Sequence, residues 1–192
     1  VKYRLEKEEM HNYIALLRGI NVGGNNVLPM KELVMLLEEL GLQQVATYIQ
    51  SGNAVFRAAE GDKERLAEMI RSRIRERYGF EPFVLLLDVG EMETAMAVNP
   101  FPEAIAEPNT LHLAFLGATP AIPDMERLEK LRSESERYAL KDTVFYLHAP
   151  DGISRSKLAA NAERLLGVPM TFRNWRTVCK IMELARETRL LG

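Results

Sequence analysis

One feature restricts this chain more than any other. A single order of apolar runs and amphipathic stretches occurs twice along it. Tyr13–Arg18 is a short apolar run that breaks at Gly19, the pattern of a buried strand. Pro29–Leu40 repeats Met30, Leu33, Leu36, Leu37 and Leu40, then stops at Gly41, which predicts an amphipathic helix. Gln44–Ile49 and Asn53–Arg57 are β-prone runs around Gln50-Ser51-Gly52, which predicts a hairpin. Asp62–Tyr78 places Leu66, Met69, Ile70 and Ile74 on one stripe, with Asp62 as N-cap. Pro82–Leu87 is again apolar. The second half runs through the same series: strand Thr110–Leu116, helix Pro123–Arg132, strands Glu136–Leu140 and Thr143–Leu147, helix Ser154–Leu166, strand Pro169–Arg173. The offsets between matching elements are similar: 98 from Tyr13 to Leu111, 94 from Pro29 to Pro123, 90 from Asn53 to Thr143, 92 from Asp62 to Ser154. The residues themselves barely match.

Two β-α-β-β-α-β series predict the α+β class, with two tandem ferredoxin-like halves. Right-handed crossovers then give each half a four-stranded antiparallel sheet with two helices on one face. A last helix runs from about Trp175 to Glu187. The expected division is a frayed, charged leader at 1–11 (with Met10 as the likelier start), a first half at 12–88, a linker at 89–109 and a second half at 110–192. Glu91–Val98 is a possible short helix within the linker, before Asn99-Pro100-Phe101-Pro102 and Pro108 punctuate it. Loss of either hairpin, Gln44–Arg57 or Glu136–Leu147, would remove the reading of duplicated units.

The 192 residues suffice for one large domain or two small ones. The single cysteine, Cys179, excludes an internal disulfide and a cysteine-built zinc site. No apolar run approaches the ~18 residues of a membrane span, and a reducing cytoplasm is the default expectation. Formal charge is −2, unevenly spread. Residues 153–192 carry eight Lys/Arg against three Glu, and the remainder has an acidic excess of seven. A nucleic-acid coat would be basic over a whole domain. The local excess fits either an anion pocket or a solvated face.

Several strings carry possible chemistry. Arg18-Gly19-Ile20-Asn21-Val22-Gly23-Gly24-Asn25-Asn26 follows directly on a strand, and glycine with asparagine is how anion-binding nests are built. Gly19 and Gly24 have the spacing of P-loop glycines. Asn25 and Asn26 stand where that loop needs Lys and Ser/Thr, so a Walker site is excluded. The alternative is a flexible strand-to-helix loop. Gln50-Ser51-Gly52-Asn53 lies at a hairpin tip, where turn chemistry alone explains it. Ile49 excludes a nucleophile elbow.

Ser154-Arg155-Ser156-Lys157 reads S-x-x-K, which on one helix face would let the Lys157 amine activate a serine for acyl transfer. Such enzymes also need K-T-G, which is missing. The helix N-terminus, two hydroxyls, Arg155 and Lys157 also suit an anion. Arg173-Asn174-Trp175-Arg176-Thr177 offers Asn174 as an N-cap. The only tryptophan stands there between arginines, either as a stacking platform with a phosphate clamp or as a buried anchor. His112 and His148 fall on adjacent strands without a thiol or carboxylate partner, so no metal is expected. Arg71, Arg73, Arg75 and Arg77 read as a solvated face. Phe56, Phe145 and Tyr146 are thin material for an RNA-binding sheet.

Leu16-Leu17-Arg18-Gly19-Ile20-Asn21-Val22-Gly23-Gly24, then Pro29-Met30, then Thr47-Tyr48-Ile49-Gln50-Ser51-Gly52-Asn53 resemble the bacterial family catalogued as domain of unknown function 1697. Ser156-Lys157-Leu158 and Arg173-Asn174-Trp175-Arg176-Thr177-Val178 resemble its C-terminal signatures. The resemblance spans roughly residues 12–185. It implies a cytosolic bacterial protein of α+β build, and no activity, cofactor or catalytic residue.

The residues point to binding of a small anionic ligand, phosphate-bearing or nucleotide-like, in a cleft between the halves. That cleft would gather Arg18, Asn21, Gly23, Gly24, Ser51, Asn53, Ser154, Lys157, Arg173, Asn174 and Trp175. The alternatives are a nucleic-acid or ribonucleoprotein module built on Trp175 and the basic C-terminal segment, a Ser/Lys acyl-transfer enzyme, and a partner-binding scaffold.

Overall fold

A computed structural model describes residues 9–190. Of the expected leader, residues 1–8 lie outside the described part. The chain divides into two compact units, Val1–Gly90 with Glu183–Gly192, and Glu91–Met182.

The first unit runs β1 (His11–Arg18), α1 (Met30–Glu39), β2 (Gln43–Tyr48), β3 (Asn53–Ala58), α2 (Lys63–Tyr78) and β4 (Phe83–Asp88). Its sheet has the order β2-β3-β1-β4 with every pair antiparallel. This is the ferredoxin-like arrangement. Period-two alternation places Tyr13, Ala15 and Leu17 of β1 beside Ala54 and Phe56 of β3. They pack on Leu33, Leu36 and Leu37 of α1 and on Leu66, Ile70 and Ile74 of α2. Ile14 and Leu16 point to the other face and are also fully buried, which is why β1 reads as a continuous apolar run. α2 starts where the Asp62 carboxylate accepts from the Glu64 and Arg65 amides, at 3.0 and 3.1 Å. It ends at left-handed Gly79. Arg71, Arg75 and Arg77 pair with Glu68, Glu81 and Glu39, so this is the solvated face the sequence predicts.

Residues 89–109 contain α3 (Val89–Ala97) and a 3₁₀ turn, Pro102–Ala106. The second unit then runs β5 (Leu111–Leu116), α4 (Met125–Leu131), β6 (Arg137–Lys141), β7 (Val144–His148), α5 (Lys157–Leu166) and β8 (Met170–Asn174). α6 (Trp175–Leu190) follows. The sheet order, β6-β7-β5-β8, repeats that of the first unit, again wholly antiparallel. Ala114, Leu116, Phe145 and Leu147 pack on Leu128 of α4 and on Leu158, Ala162 and Leu165 of α5. On the opposite face the Tyr146 hydroxyl donates to the Ala95 carbonyl at 2.8 Å, so α3 covers that side. Both expected hairpins are present. Among the described residues no helix is long and apolar enough to cross a membrane.

One expected element differs. The stretch Ser154–Leu166 is not a single helix. Ile153–Arg155 forms a 3₁₀ turn, and α5 starts at Lys157. The cause is Ser156, whose extended backbone and buried hydroxyl, accepting from the Ala159 amide at 2.9 Å, cap the helix.

Candidate functional site

The eleven predicted site residues separate by unit: Arg18, Asn21, Gly23, Gly24, Ser51 and Asn53 in the first, and Ser154, Lys157, Arg173, Asn174 and Trp175 in the second.

In the first unit the two unusual strings converge on one another. Asn21 takes a left-handed backbone, φ 54°. Its Nδ2 donates to the Leu28 and Gln50 carbonyls at 2.8 and 3.0 Å, and its Oδ1 accepts from the Leu28 amide at 2.8 Å. Asn26 Nδ2 donates to the Gly19 carbonyl at 2.7 Å. The Asn25 amide donates to the Val22 carbonyl, closing a tight turn around Gly23 and Gly24. Asn53 is buried and donates to the Tyr48 carbonyl and to Ser51 Oγ, at 3.1 and 2.9 Å. Gly52 is left-handed, φ 76°, and a Cβ there would sit 2.8 Å from Leu17 Cβ and 2.9 Å from Ile20 Cδ1. These polar side chains therefore brace the β1–α1 loop against the β2–β3 turn. Arg18, half-buried at the end of β1, lays its guanidinium 5.2 Å from the centre of the Phe83 ring, and burial pulls its pKa below the ordinary value.

In the second unit the S-x-x-K reading meets two obstacles. Ser154 lies in the 3₁₀ turn while Lys157 opens α5, so they do not share a helix face. Ser156 spends its hydroxyl on the cap. Asn174 is the N-cap the sequence predicts, its Oδ1 accepting from the Thr177 amide at 2.9 Å. Trp175 is only 7% exposed. Arg173 is buried too, donating to Thr171 Oγ1 at 2.7 Å and to the Phe172 carbonyl at 2.8 Å, and burial lowers its pKa to about 10. Register pairs Arg173 with Leu113 and Phe172 with Ala114. Arg173 thus points away from the face that packs on α5, where Lys157 lies.

His112 and His148 occupy neighbouring strands but opposite faces, because His112 pairs with Leu147 and Leu111 with His148. His112 is buried, its Nε2 has no hydrogen-bond partner among the described residues, and burial lowers its pKa to about 4. His148 Nδ1 lies 3.1 Å from Arg137 Nη2. Among the described residues no group of three metal-ligating side chains is assembled. Phe56, Phe145 and Tyr146 are fully buried.

A cavity of about 410 Å³ lies wholly within the second unit, between the end of α4 and the start of α5. Lys130, Arg132, Glu136, Asp151, Arg155 and Lys157 line it. Lys130 pairs with Glu126, and Arg132 with Glu129. Arg155 and Lys157 are exposed and form no ion pair among the described residues. Glu136 is buried at 5% exposure, its Oε2 accepting from the Ser133 amide at 2.9 Å. Sequence reasoning named Arg155 and Lys157 but missed Lys130, Arg132, Glu136 and Asp151. Their only signal is a run of charge, which reads as solvated surface. A second cavity, about 360 Å³ and in the first unit, is lined by His11, Tyr13, Lys63 and Asp88 among others. There Lys63 and Asp88 face each other at 3.8 Å, and the Tyr13 hydroxyl donates to the Glu60 carbonyl.

No curated protein matches the chain. Among solved structures it is similar to one described as the conserved bacterial protein SP0830 from Streptococcus pneumoniae. The identity is 29% and the TM-score 0.65, over 92% of this chain and 99% of that one. The family model of a protein of unknown function, DUF1697, matches residues 10–146. That span contains the Arg18–Gly24 and Thr47–Asn53 strings that brace each other, and it stops short of Ser156 and Arg173. The chain belongs to the DUF1697 family.

Proposed function

We propose that the second unit binds a small anionic, phosphate-bearing ligand in the cavity at the start of α5. The observation that carries this reading is that Arg155 and Lys157 flank the cavity with no ion-pair partner among the described residues, while Lys130 and Arg132 are already paired outside it. The N-terminus of a ten-residue helix adds unpaired amides and the positive end of its dipole. Arg155 and Lys157, both exposed, supply charge-assisted donors. This reading keeps the ligand within one unit and uses only Lys157 from the residues proposed on sequence. Asn21 and Asn53 donate to backbone carbonyls, Ser51 accepts from Asn53, and Arg18 stacks on Phe83.

Isothermal titration with inorganic phosphate and with phosphate esters tests the reading. Binding is expected to fall about tenfold or more in Lys157→Met and in Arg155→Met, with thermal stability preserved. Affinity unchanged in both variants would refute it. A small-ligand pocket should lose affinity gently with salt. A steep, many-ion salt dependence with short RNA would favour the nucleic-acid alternative instead. The like order of elements supports an origin of the two halves in one duplicated unit, and a single cysteine supports a reducing, cytoplasmic setting.

A further inference from the structure

The cavity beside α5 holds opposite charges apart. Arg155 and Lys157 line it together with Glu136 and Asp151, yet no ion pair links the two sets among the described residues. Each of the two carboxylates is anchored through one oxygen. Glu136 is 95% buried, with Oε2 on the Ser133 amide, and its own carbonyl accepts from Arg132 Nη1 at 3.0 Å. Asp151 Oδ2 accepts from Ser135 Oγ at 2.6 Å. Each carboxylate keeps its other oxygen, Glu136 Oε1 and Asp151 Oδ1, out of any hydrogen bond among the described residues. Glu136 Oε1, without a partner among the described residues, keeps some exposure to solvent.

A carboxylate oxygen only accepts hydrogen bonds. Whatever faces these two oxygens must therefore donate. A bare inorganic phosphate dianion satisfies the cationic side, places negative charge before the carboxylates, and leaves most of the volume empty. Specific small-molecule pockets start at about 300 Å³, and this one exceeds that.

We infer that the ligand of this cavity is a hydroxylated phosphate ester of sugar-phosphate type, its phosphate held by Arg155 and Lys157 and its hydroxyls donating to Glu136 and Asp151. This rests on the anion-binding reading above and narrows it to a ligand class.

The test compares inorganic phosphate, ribose 5-phosphate, ribose and phosphoethanolamine by isothermal titration, against the wild-type chain, Asp151→Ala and Glu136→Gln. Ribose 5-phosphate is expected to bind at least tenfold more tightly than inorganic phosphate. Asp151→Ala should weaken ribose 5-phosphate about tenfold and leave inorganic phosphate unchanged or slightly tighter, because a negative charge has gone. That split in sign is something a merely structural role for Asp151 would not produce. Asp151 is exposed, so its variant keeps the test independent of any folding defect in Glu136→Gln. Equal affinity for inorganic phosphate and ribose 5-phosphate, with both weakened by Lys157→Met, would overturn the ligand class and leave the anion site standing. Preference for phosphoethanolamine over ribose 5-phosphate would overturn it in favour of an ammonium donor. No binding by any phosphate would overturn the class and the anion site together.

Discussion

The two units share a strand order but put their polar residues to different use. After β1, eleven residues lead to α1, with five left-handed residues at Gly19, Asn21, Gly23, Gly24 and Asn26. Their side chains and amides are spent on holding the chain in that shape. After β5, eight residues lead to α4, and none is left-handed. There Pro120 and Pro123 limit the backbone, and the Asp124 side chain caps α4 through the Arg127 amide. The unit with the ornate loop has a cavity whose Lys63 and Asp88 face each other. The unit with the plain loop has a cavity whose Arg155 and Lys157 face no carboxylate within ion-pair distance among the described residues. Unusual composition marks a shape that is hard to hold. Unpaired charge is what marks a place where something else can bind.

The largest break in this contrast is expected at Gly52. Gly52→Ala puts a Cβ within 3 Å of Leu17 and Ile20 at φ 76°, so backbone strain and overpacking add. A loss of about 3 kcal/mol or more is expected, which lowers the melting temperature by roughly 6–12 °C. Calorimetry finding less than a 2 °C change would show that the loop and the turn do not depend on each other.

A comparable effect in the second unit is expected from acid. Burial holds His112 neutral, with its pKa lowered from 6.5 to about 4. The unfolded chain therefore binds one more proton between those values. The stability this confers is present above about pH 6.5 and is lost as the pH falls through that window, up to about 3 kcal/mol. Urea unfolding at pH 7.5 and 4.5 should show the loss in the wild type and its near absence in His112→Leu. Equal losses in both would assign the acid sensitivity elsewhere.

Asn21→Ala removes three hydrogen bonds of 2.8–3.0 Å and should cost about 2 kcal/mol. Asn21→Asp keeps the acceptor for the Leu28 amide but sets a carboxylate oxygen against the Leu28 and Gln50 carbonyls, so it should not recover the loss. The smallest effect is expected at the second hairpin turn. Asp142 is exposed and left-handed at φ 48°, with no packing constraint to match that of Gly52. Asp142→Gly should change stability by no more than about 0.5 kcal/mol. A large effect there would erase the contrast between the two turns.

Much of the fold was legible because it rests on local rules. Period-two and period-3.6 apolar patterns mark faces, and Asp62 and Asn174 mark helix starts through bonds that reach only a few residues. The helix expected from Ser154 was misread for a reason of the same kind. Two serines stand close together, and only the geometry decides which one caps. The site was less legible. Trp175 and Arg173 look like a clamp in sequence, yet both are buried, and alternation turns Arg173 to the face away from α5. Glu136 and Asp151 look like ordinary surface charge, and nothing local reports that they line one cavity with Lys157.

The sequence by itself determined the element order, its repetition and the α+β class, because burying an apolar face needs a fixed spacing wherever the chain goes. It also identified the two strings typical of the family. Only the tertiary structure decided what those strings do. Asn21 meets Gln50 across 29 positions, and Gly52 meets Leu17 across 35. Likewise, only the three-dimensional arrangement separates a charge that is neutralised from one that is not, since an ion pair needs two groups within a few ångströms. Arg77 finds Glu39, 38 residues away, while Lys157 lies close in sequence to Asp151 and forms no ion pair with it.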